Sequence, residues 1–350
     1  MGEAARKFAL NFVRFSGLAS LLAPAMGGMG AILMLHRVTG QPAKPLRING
    51  HLAIQPEFLD AVLDEVKELG YALVSMDEIV EALKRRKSGS GRILTITADD
   101  AYRDNLVEAL PVLESHDAPI TIYAAPGLTE GKADLWWDVL EDVVTASDEI
   151  AVDMHGAKTV LDCSTDEKKR EAFCRLDTYL TSVVVEEERQ PVLCELAARA
   201  GVDPQAPSRD TLMDWEELSR AASHPLVTVG AHTIHHYNLK RLDEDEARRE
   251  MTESARILAE RLGARPVHFA YPYGYERAVG EREVRLAGEA GFHSAVTTRH
   301  GVLQADHARH LHALPRISIN GRYQSVGYVR TMLSGVTTRL ANGGKSLVTV

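Results

Sequence analysis

Three cysteines in 350 residues, Cys163, Cys174 and Cys194, are too few and too far apart for a disulfide framework or a zinc–thiolate site. They read as small buried hydrophobes and favour a reducing compartment. Positive charge is short as well. Lys and Arg number 40 against 49 Asp and Glu, for a net charge of -9. That excludes the electrostatic footprint of a nucleic-acid binder. It also disfavours a strongly anionic substrate, unless a local basic pocket overrides the net charge. No apolar run reaches the length of a membrane span, so no transmembrane helix is expected. The first 30 residues are apolar, but Asn11 and Arg14 interrupt them and Glu3 sits beside Arg6 and Lys7, which spoils a secretory leader. Phe8, Leu10, Phe12, Val13 and Leu18 suit a short amphipathic helix, one that packs on the body of the protein or touches a membrane surface. A cytoplasmic location is expected. No period of 20 to 50 residues recurs, which excludes a solenoid.

What is present is ordinary globular composition, 45% hydrophobic and 25% charged. Short β-rich runs alternate with amphipathic helices, a pattern that implies a parallel β/α architecture. The runs are AILML (31–35), ILTITA (93–98), PITIYAA (119–125), LVTVGA (226–231), VHFAY (267–271) and HSAVTT (293–298). Helical spacing covers 56–70, 76–89, 242–263 and 280–291, several closed by glycine. Residues 105–115 also read as helix, with Pro111 a kink or an early stop. Residues 132–222 break the rhythm as helix and polar loop, and are expected to form a helical insertion without a second core. The expected organisation is a helical extension over 1–30, a catalytic domain over 31–325 containing that insertion, and a C-terminal helix and fraying tail over 326–350.

Polar residues follow several of the predicted strands: His36, the pair Asp99 and Asp100, His232 with His236, and Pro272-Tyr273. In a parallel β/α barrel such positions converge on one rim. Asp100, His232 and His236 then supply one oxygen and two nitrogens. Three ligands and an open position form the arrangement of a catalytic zinc or a similar divalent metal. Thr233 would brace the turn between the histidines, and His235 competes for the ligand role. Beside a cation, Asp99 stays ionised and can act as a base. His36 can deliver a proton to a departing nitrogen. His307, His310 and His312 read as a solvated segment.

Together these segments resemble the polysaccharide deacetylases, the NodB-homology family of carbohydrate esterases. TITADDAY is similar to the family's T-F-D-D-G, GAHTIHHYNL to its H-[ST]-x-x-H, and FAYPYG to its R-x-P-Y-G segment. The family's late L-x-H is matched early, by ILMLHRV (32–38), as in members of circularly permuted order. The resemblance implies a distorted (β/α)7 barrel, with Asp99 as base, His36 as acid, and Asp100, His232 and His236 as metal ligands. It also implies that the backbone N–H of Tyr273 binds the oxyanion. The expected activity is metal-dependent removal of the N-acetyl group from an N-acetylated glycan. A lipid-linked sugar substrate and a non-catalytic glycan binder are the alternatives.

Three positions depart from the family. Ala98 replaces Phe, and Ala101 replaces Gly in a turn that Ala crowds if it needs positive φ. Ala270 replaces the Arg that orients the base, leaving Arg316 or Arg103 as substitutes able to grip a carboxylate bidentately. Trp136 and Trp137, at the start of the insertion, read equally as sugar-stacking walls and as packing.

Overall fold

Strand alternation sets the architecture. A computed structural model describes residues 3–85, 91–154 and 156–350. Seven parallel strands close into a ring: β1 (Gly30–Leu35), β2 (Arg92–Asp99), β3 (Ile120–Ala124), β4 (Val227–Ala231), β5 (His268–Ala270), β6 (Ser294–His300) and β7 (Leu314–Ser318). Each pairs with the next in chain order, and β7 returns to β1, Ile317 lying opposite Leu33. A short strand, Tyr71–Leu73, flanks the first residues of β2. The expected (β/α)7 barrel is therefore the observed fold. The predicted β-rich runs account for β1 to β6. No strand is predicted over β7, whose sequence LPRIS has proline and arginine at its centre.

The pleat sends alternate residues to opposite sides. Ala31, Leu33 and Leu35 of β1, and Leu94, Ile96 and Ala98 of β2, join the core shared with the surrounding helices. The other set faces the barrel interior, where Ile32 meets Tyr123, Ala270, Val296 and Leu314. Helices Pro56–Glu68, Glu244–Leu262 and Glu281–Glu289 bury apolar stripes against the outer face. The longest begins at Asp243, whose carboxylate caps the backbone N–H of Glu246 at 2.8 Å.

Interior packing explains Gly230. A Cβ built there would lie 2.4 Å from the Tyr123 ring and 3.1 Å from the His268 carbonyl oxygen. Overpacking of this kind costs roughly 1–3 kcal/mol. Gly230→Ala should lower the unfolding free energy by that amount in urea titration, with the slope unchanged.

Several expectations need correction. Residues 132–222 are not simply helix and loop: Glu149–Met154 and Ala157–Asp162 pair as an antiparallel hairpin. The segment also carries its own apolar cluster, including Trp136, Leu140, Val143, Leu176 and Leu193. Pro111 does not stop its helix. A π-helical turn over Asn105–Ala109 precedes it and the α-helix Leu110–Ser115 runs on; the wider turn accommodates a residue without an N–H. The helix from Met76 is described as far as Arg85, and residues 86–89 of the expected span lie outside the described residues. The tail is pinned, not frayed: Val348 is buried, its carbonyl lies 3.0 Å from Nε2 of His307, and Arg299 donates to the Thr349 carbonyl. His307 is accordingly buried, and His312 Nε2 meets the Phe292 carbonyl at 2.8 Å, so this is no solvated segment. Of the cysteines only Cys163 is buried, although all three are free.

The N-terminal helices, Glu3–Phe15 and Leu18–Met26, pack on the C-terminal helix Val326–Leu333, with Tyr328 donating to Asn11 at 3.0 Å. Val13 is buried, while Phe8, Phe12 and Phe15, spaced to share one face, are exposed. No described helix is long and apolar enough to cross a membrane.

Candidate active site

At the end of β2, Asp99 continues the inward set of Thr95 and Thr97, so strict alternation would turn Asp100 away. The backbone breaks that alternation. Asp100 and Ala101 both take left-handed φ, 70° and 53°, and the turn brings Asp100 back to the rim. Ala at such a position costs about 1 kcal/mol relative to Gly, so the turn is held by its surroundings. The Ala101 carbonyl accepts the N–H of Met213 at 3.0 Å, and Arg103 N–H donates to Thr211 at 2.7 Å.

After β4, residues 232–236 form a tight turn with Thr233 and His236 also at positive φ. Thr233 does not brace it, for its buried hydroxyl has no partner among the described residues. Glu250, buried on the helix Glu244–Leu262, does so instead. One of its oxygens accepts the N–H groups of Ile234 and His235 at 2.8 and 3.0 Å, and the other lies 2.6 Å from Nδ1 of His235. That contact draws His235 away from the rim and leaves His232 and His236 facing Asp100. Sequence reasoning missed Glu250, which lies 14 residues beyond the motif in a helix rich in acidic residues.

Asp100 Oδ1 lies 3.6 Å from Nε2 of His232 and 3.4 Å from Nε2 of His236. The three donor atoms sit within 4.8 Å of one another, all on buried residues. Nδ1 of His232 is 2.7 Å from the Ala270 carbonyl. That carbonyl can only accept, so the proton is on Nδ1 and the Nε2 lone pair faces Asp100. Burial holds both imidazoles below their ordinary pKa, with the charge of His232 adding to the effect on His236. Burial, then the charges of Asp99 and Asp138, push the Asp100 carboxyl well above the usual range. Oδ1 of Asp100 is buried with no hydrogen-bond partner among the described residues. A carboxylate oxygen and two neutral imidazole nitrogens converging on one point repel unless a cation lies between them. The donor set therefore fits a divalent metal.

Asp99 is gripped from across the barrel. Arg316, on β7 and 1% exposed, donates to both Asp99 oxygens at 2.7 Å, to Thr97 Oγ1 at 3.1 Å and to the Thr297 carbonyl at 3.0 Å. The Tyr123 ring lies 5.9 Å from the guanidinium carbon. Burial raises the Asp99 carboxyl, but the charge and hydrogen bonds of Arg316 outweigh it and hold the group well below the ordinary range. Arg103 is engaged elsewhere, with Glu217 at 2.9 Å. His36 extends the inward set of β1, and its carbonyl accepts from Asn105 Nδ2 at 2.9 Å. Burial lowers its pKa to about 4, against an opposing pull from Asp99.

Tyr273 has φ 63°, and its carbonyl accepts from Thr298 Oγ1 at 2.6 Å, which fixes the peptide that follows. Its hydroxyl accepts from Nε1 of Trp136 at 3.1 Å. Trp137 donates to the Tyr102 hydroxyl at 3.2 Å and its ring lies 5.1 Å from that of His236. The two tryptophans are thus both packing and wall. A cavity of about 580 Å³ opens here, lined by His36, Asp99, Asp100, His232, His236 and Tyr273, with both tryptophans at its side.

Residues 179–294 match the family model of the polysaccharide deacetylases, a stretch that contains the histidine turn and the Pro-Tyr-Gly segment. No curated protein matches the chain. Among solved structures it is similar to a Streptococcus pyogenes deacetylase, PplD, in complex with acetate: 20% identity over 86% of this chain and 97% of that one, TM-score 0.56. It is similar to IcaB from Ammonifex degensii at 18% identity, over 88% and 98%, with TM-score 0.55. A de-N-acetylase from Aggregatibacter actinomycetemcomitans shares 11% identity over 87% and 99%, with TM-score 0.52. At these identities the likeness to solved structures is one of fold. Over its matched segment the chain is similar in sequence to the polysaccharide deacetylases, and its barrel is the fold it shares with these solved structures.

Proposed function

We propose that this protein is a metal-dependent de-N-acetylase acting on an N-acetylated sugar within a glycan. The observation that carries the reading is the buried, mutually repelling donor set of Asp100, His232 and His236 beside a carboxylate held ionised by Arg316. A divalent ion held by those three residues, zinc being the natural match to two imidazoles and a carboxylate, would polarise the substrate carbonyl and acidify water there. Asp99 takes a proton from the attacking water. The water oxygen forms a bond to the acetyl carbon, the C–N bond breaks, and the products are acetate and the free amine. Tyr273 presents its backbone N–H to the carbonyl oxygen, where negative charge gathers. His36 delivers a proton to the departing nitrogen. Because burial keeps His36 neutral at rest, that proton is one released during the reaction, and the neighbouring Asp99 favours its uptake.

Metal analysis of the purified protein together with acetate release from N-acetylglucosamine oligomers tests the reading. The expected result is roughly one divalent ion per chain and metal-dependent acetate, lost with chelator and restored by zinc. Metal bound with no acetate from any N-acetylated substrate would select a glycan-binding relative instead. One observation favours a second substrate, a lipid-linked sugar: the exposed face of Phe8, Phe12 and Phe15 suits contact with a bilayer surface. That version predicts co-sedimentation with anionic vesicles.

A further inference from the structure

A second cavity, about 720 Å³, adjoins the first. The two share Ile48, Asn49, His51, Leu52, Cys174 and Arg322 in their linings, so they adjoin along these residues. The second lies between the loop that follows β1, the insertion and the turn after β7. Its chemistry differs from that of the rim. Arg37, Lys44, Arg47, Arg170 and Arg322 line it, against the acids Asp138 and Glu141. Those acids are occupied: Glu141 accepts the backbone N–H groups of Ile48 and Asn49 at 3.0 and 3.1 Å, and Asp138 lies 3.8 Å from Lys44. Arg37 is paired with Asp104 at 2.8 Å and Lys44 with Asp142 at 2.7 Å.

Arg47 and Arg170 have no carboxylate partner among the described residues. The Arg170 guanidinium donates to the Leu46 carbonyl at 3.2 Å, which fastens the insertion to the loop carrying Arg47. Arg47 itself takes φ 53°, a conformation that favours glycine. The chain places a long cation there nonetheless. Its backbone is held by Arg47 N–H to Lys44 at 3.0 Å and Gly50 N–H to the Arg47 carbonyl at 3.3 Å. In a molecule of net charge -9, two guanidinium groups without a carboxylate partner among the described residues stand beside the first cavity. Guanidinium forks suit planar or tetrahedral oxyanions.

We propose that the substrate carries an anionic group, a phosphate or a carboxylate, on a unit next to the sugar that loses its acetyl group. Arg47 and Arg170 receive this group in the second cavity. The inference rests on the de-N-acetylase reading for the identity of the first cavity, but the anion site is testable by binding alone. Three probes separate the sources: neutral N-acetylglucosamine trimer, the same trimer phosphorylated at its reducing end, and an oligomer alternating N-acetylglucosamine with glucuronate.

Calorimetry on the zinc-loaded protein at low salt should show one of the charged probes binding about tenfold tighter than the neutral trimer, a preference that fades at high salt. Arg47→Gln/Arg170→Gln should abolish that preference while leaving acetate release from the neutral trimer unchanged. Arg47→Glu/Arg170→Glu should turn it into rejection. Equal affinity of wild type for all three probes overturns the proposal, as does a Gln double variant that keeps the preference. A charge-dependent preference without acetate from any probe would retain the anion site and remove the de-N-acetylase reading. Acetate from the neutral trimer with no charge preference does the reverse.

Discussion

Asp99→Asn should lose roughly 10²–10⁴-fold in turnover, the range typical of a removed general base, and still bind its metal. His232→Ala should lose the metal. The two residues sit at one rim but touch different problems. Asp99 spends both oxygens on Arg316, and its neighbour Asp100 offers the oxygen that faces the imidazoles. Asparagine keeps the shape of Asp99 and cannot take a proton. Alanine at 232 removes one of three donors and also the contact to the Ala270 carbonyl. Disturbing only the outer partners of a metal ligand typically costs 10–100-fold in affinity, so loss of the ligand itself should cost at least about 100-fold. Metal content after dialysis and kcat for acetate release, measured on both variants, give a two-by-two result. Full turnover by Asp99→Asn would remove Asp99 as the base; retention of metal by His232→Ala would break the proposed ligand set.

Much of this site is legible in sequence because the barrel converts strand ends into a rim. A polar residue that closes an apolar run is already placed, and His36, Asp99 and His232 follow that rule. What escapes the rule lies where the backbone departs from alternation or where a tertiary contact decides. Asp100 reaches the site through two left-handed residues, which an alternating reading sends to the wrong side. His235 and His236 are adjacent and chemically identical. Glu250 separates them by pulling His235 aside, and nothing within GAHTIHHYNL encodes that. The hairpin of Glu149–Met154 does show alternation, with Ile150 and Val152 buried between exposed Glu149, Ala151 and Asp153; flanking helical stretches obscured it. β7 went unseen for a different reason. Its centre is the most buried arginine among the described residues, and an arginine with a proline beside it argues against a core strand until its partner is known.

The ring also explains how an orienting arginine can change strands. Ala270 occupies the position of the resembled family's arginine, on β5, and its side chain faces the interior among Ile32, Tyr123, Val296 and Leu314. Arg316 enters that same interior from β7, two strands away. A closed barrel offers several inward positions, so in the proposed reaction the guanidinium that grips Asp99 can come from a different strand.

Arg316→Met should therefore be costly twice over. Removing one partner of a buried ion pair leaves the other charge uncompensated, which costs about 3–5 kcal/mol. Asp99 would keep its burial and lose both 2.7 Å contacts. Urea unfolding should show this loss, and turnover by the fraction that stays folded should fall by at least the amount seen for Asp99→Asn, because the base loses both its orientation and its counter-charge. A second variant separates the two effects. In Arg316→Met/Asp99→Leu neither charge remains, and apolar replacement of a buried pair is often neutral in stability. The double variant should recover most of the lost stability and remain inactive. A single Arg316→Met protein as stable and as active as wild type would mean that Asp99 does not depend on this clamp.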